Sequence, residues 1–165
     1  MKVLRAIRHL LAPPWLLRRH FPAAALGAIE AAIGESERLH RGEIRFVVEG
    51  GLELSDLWRG VSARERAIEV FSRLRVWDTE ENTGVLIYVQ WLDRRVEIVV
   101  DRGVAARVAP ECWAAVCRGL ESAFRSGRPA EGACEAVREV GRLLAEHFPA
   151  RPDNPDELPD RPVLL

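Results

Sequence analysis

The 165-residue chain has no apolar run approaching the ~18 residues that a bilayer span requires, so none of it reads as a transmembrane helix. Nor do its first residues read as a secretory leader, because Arg5 and Arg8 interrupt the apolar region such a leader needs. Cysteine is scarce. Cys112, Cys117 and Cys134 are odd in number and without a Cys-x-x-Cys spacing, which argues against a disulfide framework and for small core or boundary thiols in a reducing compartment. No GxSxG elbow, Walker loop, GxGxxG or HExxH occurs, and His9, His20, His40 and His147 lie in separate segments without metal spacing. A net charge of -1 removes any global electrostatic case for nucleic acid. These absences point to a cytoplasmic protein.

Hydrophobic content of 48% with 30% charged residues is that of an ordinary globular domain, and the length is enough for one core without staples. The charge is uneven. Residues 1–29 contain Lys2, Arg5, Arg8, Arg18 and Arg19 and no acid, so the rest of the chain must carry -6 if the whole is -1. Val3, Leu4, Ile7, Leu10 and Leu11 form a helical stripe with Lys2, Arg5 and Arg8 off it, and Pro13-Pro14 ends the helix. Residues 1–21 are therefore expected to be a basic amphipathic helix. Its stripe should dock on the domain, on a second copy or on a partner protein, with an anionic membrane surface at the inner face of the membrane as the rival partner.

Residues 75–101 organise the domain. An oxygen-rich turn (Asp78, Thr79, Glu80, Glu81, Asn82, Thr83) precedes an unbroken apolar run at 85–89, and an alternating run at 96–100 follows a short hairpin. The first run fits a strand covered on both faces, the second a less completely covered partner. Upstream, Ile44, Phe46 and Val48 alternate with Arg45 and Val47 as a first strand. Residues 50–61 read as an irregular flap whose Trp58 turns onto the core. Ser62-Ala63-Arg64-Glu65 has capping-box spacing and opens a helix with Ala67, Ile68, Phe71 and Leu74 inward.

Further helices follow Pro22, Pro110 and Pro129, the last with Ala133, Val137, Val140, Leu144 and Phe148 facing the core. The pattern predicts an α/β fold: a mixed sheet of a parallel strand–helix–strand unit plus an antiparallel hairpin strand, with helices on both faces. The domain should span 22–148. Residues 149–165, with five of the ten prolines, should form an extended tail whose Asp153, Asp156, Glu157 and Asp160 face water.

Strand direction gathers the candidate chemistry. The starts of the first and central strands and the end of the third must share one sheet edge, which collects Glu43, Asp78, Glu80, Asn82, Asp101 and Arg102. Oxygen donors from separate loops suit a hard divalent cation, calcium or magnesium. The spacing of Asp78, Glu80 and Asn82 resembles the first three ligand positions of an EF-hand loop, but the glycine arrives as Gly84, one residue late, and Val89 stands where the closing acid belongs.

Gly42-Glu43-Ile44-Arg45, the run from Arg66-Ala67 through Val70-Phe71, NTGVLIY from Asn82 to Tyr88, Asp101-Arg102-Gly103 and the later Trp113 together resemble the TPM domain family, over roughly residues 23–148. That family includes the thylakoid-lumen phosphatase of photosystem II repair. The resemblance implies a mixed sheet flanked by helices, divalent-cation binding and, in some members, acid phosphatase activity. By position it implies that Asp78 to Asn82 form the polar loop before the central strand and Asp101 to Gly103 the loop after the third. Many members carry a Gly-x-Gly there and an Asp ahead of the first helix; this chain has Asp101-Arg102-Gly103-Val104 and His20-Phe21-Pro22 instead.

The leading expectation is a noncatalytic module binding calcium or magnesium through Asp78, Glu80, Asn82 and Asp101, with Glu43 as a further ligand. The first alternative is a metal-assisted acid phosphatase in which Arg102 holds the phosphate. The second is a self-associating structural protein without a metal site.

Overall fold

The computed structural model describes residues 2–165; of the stripe and charges expected on the first helix, the side chains of Lys2, Val3 and Leu4 lie outside the described residues. Strands β1 (Glu43–Glu49), β2 (Gly84–Gln90), β3 (Arg95–Val100) and β4 (Val163–Leu164) form one sheet in the order β3-β2-β1-β4. β2 runs parallel to β1 and antiparallel to β3, as the hydrophobic pattern predicts. Helices α3 (Ala23–Glu37), α7 (Pro110–Arg125) and α8 (Pro129–His147) cover one face, and α5 (Ala63–Arg73) covers the other. The fold is α/β with a mixed sheet. No described helix is long and apolar enough to cross a membrane.

The larger core joins Ile44, Phe46 and Val48 of β1 with Ile87 of β2 and with Ile33, Leu120 and Leu144 of the three covering helices. Burying each such side chain contributes roughly 1.5–3 kcal/mol. The second core packs Val47, Leu86 and Tyr88 against Ala67, Val70 and Phe71 of α5. The Ser62 hydroxyl accepts from the Glu65 amide and the Glu65 carboxylate accepts from the Ser62 amide, so the capping box of α5 forms as its spacing predicts.

Four local expectations need correction. β1 does not alternate: all seven residues are buried, because α5 covers the face that holds Val47 and the tail covers the outer edge. Residues 50–61 are partly helical, as α4 (Leu54–Arg59), which buries Leu57 but leaves Trp58 83% exposed. Ile68 of α5 faces outward, one position off the inward Ala67–Phe71 row. Finally, the tail is not a solvated appendage. Leu165 donates its amide to the Val48 carbonyl at 3.0 Å and the Gly50 amide donates to the Leu165 carbonyl at 3.0 Å, so β4 closes the edge that β1 would otherwise present unpaired.

At the N-terminus the prolines end one helix and begin another. α1 (Lys2–Leu10) is followed by α2 (Pro14–His20), with Pro14 in the first turn, where its missing N–H costs nothing. Leu17 and Phe21 anchor this segment, Phe21 meeting Trp91 edge-on at 5.5 Å between ring centres and Trp91 meeting Phe124 at 5.4 Å.

The carboxyl end of β1 carries a buried ionic knot. Glu49 is 3% exposed and Arg66 of α5 is 7% exposed. Arg66 Nη2 donates to Glu49 Oε1 at 2.7 Å, its Nε lies 3.0 Å from Oε2, and its Nη1 reaches Glu69 at 2.9 Å. The Tyr88 hydroxyl also donates to Glu49. Removing one partner would strand a buried charge, which is far more costly than removing both. Arg66→Met should therefore lower unfolding stability by about 3–5 kcal/mol, while Arg66→Met combined with Glu49→Leu should recover part of that loss. Urea denaturation of both single variants and the double checks this; a double loss equal to the sum of the single losses would show that the pair is not coupled.

Candidate functional site

The sheet edge anticipated from strand direction exists. Glu43 pairs with Gly84, Val85 with Val100, and the Asp101 amide donates to the Gly84 carbonyl at 2.9 Å. Across that edge β1, β2 and β3 are spaced by about 4.8 Å per strand, so the backbones of Glu43 and Asp101 stand roughly two strand spacings apart.

Asp101 is the most constrained member. It is 6% exposed. Its Oδ1 accepts from the Arg102 amide at 2.6 Å and caps the short helix α6 (Arg102–Ala105), while its Oδ2 is buried with no hydrogen-bond partner among the described residues. A buried polar oxygen left in this state costs about 1–3 kcal/mol unless something meets it. Asn82 sits opposite with φ 56°, a left-handed conformation that asparagine tolerates better than most side chains, and its carbonyl accepts from the Gly103 amide at 3.0 Å. A Cβ at Gly103 would lie 2.6 Å from the Asn82 carbonyl oxygen and 2.8 Å from that of Glu81. The glycine thus lets the turn before β2 seat on the first turn of α6. Arg102 extends into solvent with its side chain 90% exposed and donates from Nη2 to Asn82 Oδ1 at 3.3 Å.

The other expected ligands point elsewhere. The Asp78 side chain is 54% exposed beside Arg75, and Glu80 faces solvent with its amide held by Glu157 Oε2 at 2.9 Å. Glu43 is 3% exposed, and its Oε2 accepts from the Leu158 amide at 3.0 Å, which commits it to the tail. Among the described residues, no three of Glu43, Asp78, Glu80 and Asp101 bring carboxylate oxygens within 4.8 Å of one another. The edge therefore assembles Asn82, Asp101 and Arg102, with the Glu81 carbonyl, and leaves the remaining acids outside that group.

A different set of carboxylates does converge. Glu37 at the end of α3 and Asp156 and Asp160 of the tail offer oxygens within 4.8 Å of one another. Sequence reading passed over Glu37 as a helix residue and gave the tail acids to solvent; the only signal was their recurrence between prolines in 153–160. Asn154 fastens the same segment by donating to the carbonyls of Glu37 and His40 at 2.9 and 3.0 Å. Burial pushes the Glu37 carboxyl up to about 9, with Glu43 and Asp160 adding to the rise and the Ile44 amide opposing it. Burial likewise raises Glu43 to about 7. Arg45 lies among these acids and donates to the Arg161 carbonyl at 3.3 Å. A proton on Glu37 and the Arg45 charge offset part of the negative charge of this group, and Asn154 ties the tail to the end of α3, while Asp160 Oδ1 is buried without a hydrogen-bond partner among the described residues.

A proton held on Glu37 in the folded state and lost from the unfolded chain makes stability fall as pH rises from about 4.5 to about 9. Glu43 acts in the same direction only up to about 7. His40, driven down by burial to about 4, acts in the opposite direction and only below its ordinary 6.5. Between pH 7 and 9 Glu37 is then the dominant one of the three. Unfolding free energy should fall through that window by up to ~1.4 kcal/mol per pH unit, and the fall should vanish in Glu37→Gln. Denaturant midpoints measured at the two ends check it; the same slope in the variant would assign the effect to another group.

The sequence matches the TPM domain over residues 20–143. No curated protein matches it. Among solved structures, the NMR structure of the BA42 protein from the psychrophilic bacterium Bizionia argentinensis is similar, with 30% identity over 87% of this chain and 94% of that one and a TM-score of 0.77. The family match spans the ordered motifs from Gly42 to Trp113, and the chain belongs to the TPM domain family.

Proposed function

We propose that the protein is a noncatalytic module that binds a divalent cation, calcium or magnesium, where the turn before β2 meets the first turn of α6. The observation that carries this reading is Asp101 Oδ2, buried without a partner among the described residues. Asp101 would be the anchoring carboxylate, with oxygen from Asn82 and the Glu81 carbonyl completing a hard donor set. Hard cations take such mixtures of carboxylate, amide and carbonyl oxygens. Asp78 and Glu80, exposed on the same turn, supply negative potential to an approaching cation rather than buried ligands.

A second reading, a metal-assisted acid phosphatase, is favoured by one feature. Arg102 holds a largely exposed guanidinium next to Asn82 and Asp101, where it would accept a phosphate. A bound cation there would polarise a phosphoryl oxygen and lower the pKa of a coordinated water.

Calorimetric titration of the full chain with calcium and with magnesium tests the first reading. Saturable binding is expected in the wild type, weakened at least about tenfold in Asp101→Asn, which removes the charge but keeps the shape and the cap acceptor. Gly103→Ala should weaken binding as well and destabilise the fold by about 1–3 kcal/mol, because the added methyl drives the two loops apart. Heat signals identical in the wild type and Asp101→Asn would overturn the site. Hydrolysis of p-nitrophenyl phosphate that is lost in both Asp101→Asn and Arg102→Ala would move the conclusion to the phosphatase.

A further inference from the structure

The N-terminal helix is docked with its charged side inward. Arg5 Nε donates to Asp93 Oδ2 at 2.8 Å, and Arg8 Nη2 donates to Oδ1 at 2.5 Å. His9 is 4% exposed; its Nδ1 accepts from the Leu52 amide at 3.0 Å, which leaves the protonated Nε2 facing Asp93 Oδ1 at 3.1 Å. Asp93 sits in the turn between β2 and β3, so this cluster clamps α1 to the hairpin. Its carboxyl is held well below the usual range by the bonds from His9 and Arg5, which outweigh the effect of burial.

At 100° per residue, Arg5, Arg8 and His9 share one side of α1, and Ile7, Leu10 and Leu11 share roughly the opposite one. Of the stripe expected to dock, Ile7, Leu10 and Leu11 are left outside, 47, 66 and 72% exposed. Just past the Pro13 corner, Trp15 is 59% exposed, and α4, which packs against α1, exposes Trp58 at 83%. Arg18 and Arg19 lie exposed on α2, and no acid occurs before Glu30. Exposed apolar residues gathered on one side of a helix are uncommon on a protein that leaves them bare.

Charge decides between occupants. A symmetric contact with a second copy would bring the exposed Arg18 and Arg19 of one chain towards those of the other, whereas an anionic bilayer complements them. We propose that this face lies on an anionic lipid surface, with Ile7, Leu10, Leu11 and Trp15 in the boundary between headgroups and acyl chains and Arg18 and Arg19 on lipid phosphates. Docking α1 through Asp93 presents that face preformed, so the helix is not ordered at the expense of binding. The surface lies at the opposite end of the strands from Asp101, and neither proposal depends on the other.

Co-sedimentation of the full chain with phosphatidylcholine vesicles, with and without a quarter phosphatidylserine, tests the proposal. Binding to the anionic vesicles should exceed that to the neutral ones at least about tenfold and weaken with salt. It should be lost in Leu11→Glu/Trp15→Ser, whose exposed positions leave the thermal melt unchanged. Binding retained by that variant, or equal on both vesicles, would overturn the proposal. So would a wild type that ignores vesicles but is a dimer in sedimentation equilibrium and a monomer in the variant, since a second copy would then cover the face.

Discussion

Strand β1 is buried along its whole length and carries a glutamate at each end, so the fold must find partners for two carboxylates inside the sheet. Each end solves the problem differently. Glu49 takes a charged partner, Arg66, with Tyr88 completing its hydrogen bonds, and so ties α5 to the sheet. Glu43 takes a backbone amide from Leu158, which draws the proline-rich tail across the outer edge of β1 and positions β4 to pair there. The order β3-β2-β1-β4 depends on this, because an apolar strand with an open edge would otherwise face water.

The same edge separates two groups of oxygens that a linear reading merges. Glu37, Glu43, Asp156 and Asp160 are bound up with the tail, and Arg45 lies among them. Asp101 stands two strands away, capped on one oxygen and unpartnered on the other, facing a turn whose geometry requires a left-handed Asn82 and a side-chain-free Gly103. Buried acids alone do not distinguish a fastening from a binding site. Among the described residues Asp160 Oδ1 is buried without a partner just as Asp101 Oδ2 is, so the distinction rests on the Glu37 proton and the Arg45 charge that lie beside Asp160.

At the other end of the strands, the N-terminal segment shows that hydrophobic pattern and docking surface need not coincide. An amphipathic helix normally buries its apolar stripe. Here Asp93 on the hairpin offers one carboxylate to three basic groups, and that local bargain turns α1 over. Leu17 and Phe21 of the following segment are inserted against Trp91 and Phe124, so hydrophobic attachment is supplied by α2 and its exit and not by α1.

Periodicity and turn chemistry in the sequence were enough to determine the helices after Pro22, Pro110 and Pro129, the capping box at Ser62, three strands and their directions, and hence the edge on which Glu43, Asn82 and Asp101 lie. These are short-range properties: a run of apolar residues can be buried only in the periodicity it has, and a crossover helix fixes the strand that follows. Which residues of that edge meet was decided by tertiary structure alone, because side-chain partners come from distant segments. Glu43 goes to Leu158, 115 residues on, and Glu37 meets Asp160, while Asp78 and Glu80 remain in solvent. The inverted docking of α1 and the fourth strand are likewise invisible locally. Each rests on long-range contacts, those of Asp93 with Arg5, Arg8 and His9 or those of Leu165 with Val48 and Gly50, that no periodicity encodes.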